Sequence, residues 1–150
     1  REVKFADGHG LMIFDTNVSA AYARVRLTLS RDRRTILVPM LQSAWIERLK
    51  GEGKVNIEPG QGSVVGFVQG SAPYTARIDG ALASARVVYF DSRGEPTGRE
   101  YGEPGGGFAI FNAGEGFKSV TVQPSGSMKL YTAVALVERN VVNVVNHWIR

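Results

Sequence analysis

Hydrophobic residues recur at every second position along much of the chain. In YARVRLTL (22–29), Tyr22, Arg24, Arg26 and Thr28 alternate with Ala23, Val25, Leu27 and Leu29, the period of a strand with one wet face. LMIFD (11–15) and RTILVPM (34–40) predict strands before and after it. The polar SRDRR between the second and third suits a hairpin loop. Pro39 belongs near a strand end or on an edge, because it cannot donate to a ladder. One segment changes period. In LQSAWIERLK (41–50), Leu41, Ala44, Trp45 and Leu49 recur at helical spacing with Ile46 beside them, and Gly51 and Gly53 follow as a stop. Arg48 and Lys50 suit the negative end of such a helix. Its Leu41/Trp45/Leu49 face is expected to pack on the preceding strands, with Trp45 as core.

GEGKVNIEPGQG (51–62) reads as a joint, rich in glycine and poor in large apolar groups. Beyond it the pattern is purely β. Strands are expected at 63–70, 83–91, 107–113, 116–124, 127–138 and 140–149, with TGREYGEP (97–104) as a short edge strand. Short strands at even intervals between turn signals are the pattern of a sandwich. The chain is therefore expected to be mainly β: a small β-rich segment over 1–59 carrying the helix 41–50, then a sandwich over 60–150. Whether 1–59 stands alone or shares a core with the rest stays open at this level.

The densest glycine run, GGGFAIFNAGEGFKSVTV (105–122), lacks the features of a phosphate loop. Gly105–Gly107 lead into an alternating strand pattern rather than a helix, and no Lys-Ser/Thr pair follows. Phe108 and Ile110 should face one side of that strand, Ala109 and Phe111 the other. Asn112 with Gly114 and Gly116 can take positive φ in a tight connection. The glycines then make corners and the aromatic residues between them are core.

A wider order of features, VVGFV, then DGALASARVVYFD, then RGEPTGREYGEPGGGFAIFNAGEGFKSVTV, resembles the carboxypeptidase regulatory-like domains. These are transthyretin-like (prealbumin-like) sandwiches often appended to bacterial envelope and secreted proteins. The resemblance covers about residues 60–150. It rests on Ala85 and Val87, expected inward, on Gly107, Phe108 and Ile110, and on Gly116, Phe117, Val120 and Val122. The last group is one residue longer than the family spacing, which suggests a bulge at Lys118–Ser119. It implies a seven-stranded Greek-key sandwich and an extracytoplasmic setting.

Composition adds little beyond exclusions. With 43% hydrophobic and 21% charged residues, the 150-residue chain has ordinary globular usage. The net charge of +4 is diffuse: 10 basic against 7 acidic residues in 1–59, and 8 against 7 in the rest. A nucleic-acid partner, which needs a clustered basic face, is not expected. The one cluster, Arg31, Arg33 and Arg34 around Asp32, reads as a solvated turn. The chain has no cysteine, so it has no disulfide framework, thiolate metal site or cysteine nucleophile. No apolar run approaches the length of a membrane helix, although an upstream lipid anchor is compatible with the pattern. The start on a charged residue other than Met suggests a processed product.

Candidate chemistry is sparse. His9 in DGHG (7–10) and the distant His147 fall short of a metal set. PSGS (124–127) has serines in a turn without a base. The carboxylates Asp79, Asp91, Glu95, Glu100, Glu103 and Glu115 fall mostly in turns. Asn143 and Asn146 sit where a Lys–Asn crosslink of related pilin sandwiches would need them, but SVVGFV offers no lysine. No enzyme, cofactor or metal is expected. The expected role is a non-catalytic structural or protein-interaction module, meeting a protein or the cell-surface matrix through loops or a sheet edge. One alternative is a carbohydrate-binding module using Tyr101, Tyr131, Trp148 and Tyr89, with His147 as a minor contributor to a surface site. The other is the accessory domain of a peptidase.

Overall fold

The computed structural model describes residues 11–16, 20–30 and 39–149. The strands are β1 (Leu11–Thr16), β2 (Val25–Ser30), β3 (Ser63–Gln69), β4 (Tyr74–Ile78), β5 (Arg86–Phe90), β6 (Gly107–Phe111), β7 (Gly116–Pro124), β8 (Tyr131–Val137) and β9 (Val142–Trp148). Among the described residues there is one helix, α1 (Ser43–Glu52), between β2 and β3. The fold is mainly β, in two sheets. The larger has the order β1-β2-β9-β3-β6-β5 and the smaller the order β4-β7-β8. β9 lies parallel to both β2 and β3; the other pairs are antiparallel.

At β6 the large sheet is covered on both faces. Its five residues are all buried. Phe108 and Ile110 point into a core shared with Tyr74, Ile78, Val120 and Val137 of the small sheet. Ala109 and Phe111 point the other way, into a second core under α1 with Ile46, Leu49 and Val65. A strand covered on both sides reads as a continuous apolar run, as FAIF does. The split of these four residues between two faces agrees with the alternation. So does the connection after them, where Asn112 has φ +54° and Gly114 and Gly116 have φ +78° and +95°.

The helix does not pack only on the preceding strands. Leu49 and Ile46 join Val25 and Leu27 of β2, but also Val88, Phe111 and Val144 from the later part of the chain. Ordered contacts therefore run between the segments before and after residue 60. The helix begins two residues later than the periodicity indicates; Gly51 lies inside it and Gly53 caps it. Leu41 is buried just before the helix, and Trp45 is only half-buried.

Several expectations are corrected. β4 was not anticipated, although YTARI alternates buried and exposed without a break. The edge strand expected at 97–104 is a loop, tied to β5 by Thr97 N–H donating to the Tyr89 carbonyl at 2.9 Å and to β4 by an isolated bridge between Tyr74 and Gly102. Two positive-φ glycines, Gly98 and Gly105, turn this loop out of strand geometry. β7 carries no bulge at Lys118–Ser119: its register with β8 runs unbroken from Gly116 to Val122. That register turns Phe117 to solvent, 63% exposed, so it is not core. Val87 is also more exposed than expected, at the start of edge strand β5, and Ala85 precedes that strand. Pro39 and Met40 lie outside any strand; the rest of the strand expected at 34–40, Arg31–Arg34 and the DGHG turn with His9 lie outside the described residues.

Candidate functional site

The feature best suited to hold a ligand is a groove on the helix-side face of the large sheet, beside the first turns of α1. Its floor is set by register. Phe90 of β5 and Phe67 of β3 are both opposite Gly107 of β6, and Phe67 is also opposite Asn146 of β9. Gly107 has no side chain to separate the two rings, so their centroids lie 5.8 Å apart at 69°. A Cβ there would stand 2.2 Å from the Phe90 ring and 2.3 Å from the Gly66 carbonyl oxygen. The third residue of the glycine run thus serves close packing across the sheet.

Trp45 of α1 forms the wall. Its ring meets Phe90 edge-on, at 5.1 Å and 77°. Its indole Nε1–H donates to the Gly94 carbonyl oxygen at 2.6 Å, which fixes the ring against rotation. The acceptor belongs to a tight turn after β5, DSRG (91–94), closed by Gly94 N–H to Asp91 C=O at 3.0 Å. Gly94 has φ +83°, and a Cβ on it would come within 3.2 Å of the indole nitrogen. Strand, turn and helix therefore hold one another. Together they line an open groove of about 640 Å³, within the size range of small-ligand sites.

Polar groups gather on the rim. Asp91 Oδ1 accepts from the backbone N–H of Arg93 at 2.8 Å and of Glu95 at 2.9 Å. The Glu95 N–H foremost, with that of Arg93 and the nearby Arg93 charge, holds this carboxyl below its ordinary range. Asp91 is thus an ionised acceptor at neutral pH, not a proton donor. Arg48 pairs with Glu95 at 2.9 Å. Arg93 is exposed and its guanidinium has no ion-pair partner among the described residues. The arrangement can hold a flat molecule against an immobilised indole and meet its polar edge with one acceptor and one unpaired cation.

Of the residues singled out in sequence, His147 meets the Tyr131 backbone, and Tyr101 lies apart from both. Tyr101, 41% exposed, lies in the β5–β6 loop with the Arg99 guanidinium 5.6 Å above its ring. Its neighbour Gly102 bridges β4, whereas Tyr131 starts β8 at the opposite edge of the same small sheet. Trp148, 46% exposed, ends β9 on the same side of the large sheet as Phe67, paired with Gln69. Tyr89 is core: it is buried, and its hydroxyl accepts the Ala76 N–H at 2.9 Å. His147 is a correction of the same kind. It is 3% exposed, with its ring centroid 5.9 Å from that of Phe108, and belongs to no surface. Burial lowers its pKa to about 4, against the opposing effect of a hydrogen bond with the Tyr131 backbone. Nε2 has no partner, so that bond is made through Nδ1–H to the carbonyl.

The groove residues escaped the sequence because Trp45, Phe67 and Phe90 each look like ordinary core positions. The one local signal is DSRG directly after VVYF, an Asx-type turn set at the end of a buried strand. Among the described residues no helix is long and apolar enough to cross a membrane, and no three His, Asp or Glu side chains converge to hold a metal. No family model, curated protein or solved structure matches the chain.

Proposed function

We propose that the chain is a non-catalytic binding module of a secreted or cell-envelope protein, engaging its partner through the groove beside Trp45. The observation that carries this is the groove beside Trp45, whose half-buried indole is held edge-on against the buried Phe90 and which is rimmed by Asp91 and Arg93. A wall tied down by a buried-side hydrogen bond loses little entropy on binding, which favours recognition. The setting rests on the resemblance of residues 60–150 to transthyretin-like Greek-key sandwiches. That resemblance is supported by seven strands, β3 to β9, divided between the two sheets, and by Phe108, Ile110, Val120 and Val122 in their common core. It remains a fold analogy, and the site argues for the role independently.

Two partner classes follow: a protein or matrix component, and a glycan. The groove favours the glycan, because the apolar face of a sugar ring stacks on a fixed indole while its hydroxyls meet a rim acceptor. This moves the glycan site from Tyr101, Tyr131 and Trp148 to Trp45. Amide and indole NMR shifts of the isotope-labelled chain, titrated with cell-wall saccharides and with a peptide panel, test the proposal. Shifts centred on Trp45, Phe67 and Gly94 are expected. Binding confined to the β8 edge or the Tyr101 loop would overturn the placement, and turnover of any panel member would overturn the non-catalytic role.

A further inference from the structure

We infer that the β7–β8 hairpin is a second contact surface, independent of the Trp45 groove, whose tip at 125–130 inserts shallowly into the headgroup region of an anionic phospholipid bilayer. Three properties of the tip support this: its apolar exposure, its charge and its backbone hydrogen bonding.

Exposed apolar side chains concentrate on this hairpin. Of the ten large hydrophobic side chains exposed among the described residues, Phe117, Met128, Leu130 and Val134 belong to it. At the tip, Met128 is 96% exposed and Leu130 is 51% exposed. A thioether that touches almost nothing on its own protein is covered only by a partner's pocket or by a fluid apolar phase. The interfacial region of a bilayer supplies the second with no preformed cavity.

Charge selects the sign of the surface. None of the three strands of the small sheet contains an acid, and neither does the tip between β7 and β8. Lys129 stands between the two apolar tip residues, and Arg77 is exposed on β4, opposite Thr121. Neither has an ion-pair partner among the described residues. Anionic headgroups complement this sign, each lysine close to the membrane adding roughly fivefold to the affinity. A second copy fits less well. Two tips meeting would set like charges together, and the six residues between β7 and β8 fall short of the roughly 20 to 30 a side in a stable interface.

The backbone of the tip is prepared for leaving water, where unsatisfied polar groups are costly. Ser125 N–H donates to the Pro73 carbonyl at 2.8 Å, and Ser127 N–H to the Pro124 carbonyl at 3.2 Å. Lys129 N–H donates to Ser127 Oγ at 3.1 Å, and Gln123 Nε2 donates to the Ser127 carbonyl at 3.1 Å. These bonds go with the tip and lower the cost of insertion.

The test is co-flotation of the chain with vesicles of phosphatidylcholine alone and of its equimolar mixture with phosphatidylglycerol. The mixed vesicles are expected to bind it about tenfold more tightly than the neutral ones. Lys129→Gln should weaken that binding about fivefold, and Met128→Ser with Leu130→Ser more than about tenfold. Met128→Ser alone, at a side chain 96% exposed, should melt with the wild type and still cost about fivefold, so loss of fold will not mimic loss of binding. With methyl-labelled methionine, spin-labelled lipid should broaden the Met128 resonance and leave that of Met40, beside the groove, sharp. No binding to the mixed vesicles, or equal binding to both kinds, would overturn the inference. So would indifference to the Met128 and Leu130 substitutions, or broadening of Met40 in place of Met128. Self-association of the free chain that disappears in Met128→Ser would assign the tip to a second copy and overturn the membrane.

Discussion

His147 makes the stability of this fold depend on pH in a window that the carboxylates do not control. The ring is buried against Phe108, and its pKa falls from 6.5 to about 4 on folding because the charged form loses its hydration. The folded state therefore prefers the neutral ring. Above pH 6.5 folded and unfolded chains both carry it neutral and the full stability is present. As pH falls below 6.5 the unfolded chain takes up a proton that the folded chain refuses, and stability declines until the folded pKa is passed. A shift from 6.5 to about 4 corresponds to about 3 kcal/mol lost by pH 4, of which about 1 kcal/mol is gone by pH 5.5. Asp91 works in a separate window: its pKa is depressed on folding, so its contribution is lost only as pH falls through the acid range below its unfolded value. Urea denaturation followed by circular dichroism at pH 7.5, 6.5, 5.5 and 4.5 measures the decline. The reference is His147→Asn, whose amide can reach the Tyr131 carbonyl but does not titrate. The variant is expected to be less stable at pH 7.5, through the cavity left beside Phe108, but nearly flat between pH 6.5 and 4.5. Parallel curves for the two proteins would refute the assignment of this slope to His147.

Three further outcomes are expected. Gly107→Ala places a methyl group 2.2 Å from the Phe90 ring and 2.3 Å from the Gly66 backbone oxygen; urea titration should show about 3 kcal/mol of destabilisation from overpacking. Asn112 is buried at φ +54°. Its Oδ1 accepts from Glu58 N–H at 3.0 Å, and its Nδ2 donates to Asn56 and Ser84 carbonyls at 2.9 and 3.2 Å. Asn112→Ala should cost about 3 kcal/mol, and Asn112→Gly about 1 kcal/mol less because the strained φ is relieved; equal losses by thermal melting would mean that the backbone conformation is not at issue. Tyr89→Phe leaves the Ala76 N–H without its acceptor, for an expected loss of about 1–2 kcal/mol and faster amide exchange at Ala76 than at its neighbours on β4.

Local pattern was enough to determine much of this protein. The period-two runs place most of the strands, because a side chain's alternation across the pleat is a property of the backbone alone. The same logic sends Phe108 and Ile110 one way and Ala109 and Phe111 the other. Asn112, Gly114 and Gly116 announce their turn, because positive φ is open to few residue types. Alternation says which residues share a face and is silent on what covers that face. Hence Val87 and Phe117, apolar in sequence, end up exposed on an edge strand and on the outer side of the small sheet. His147, polar and near a strand end, ends up in the core. Only the tertiary structure decided that β9 runs between β2 and β3, pairings set by contacts distant in the chain. Only it decided that α1 lies over strands formed much later in the sequence. The groove belongs wholly to that second level. Trp45, Phe67 and Phe90 come from three separate elements, and they meet because Gly107 leaves room between them in the register of the large sheet. No window of sequence contains that coincidence, since it arises from the pairing of strands that are far apart in the chain.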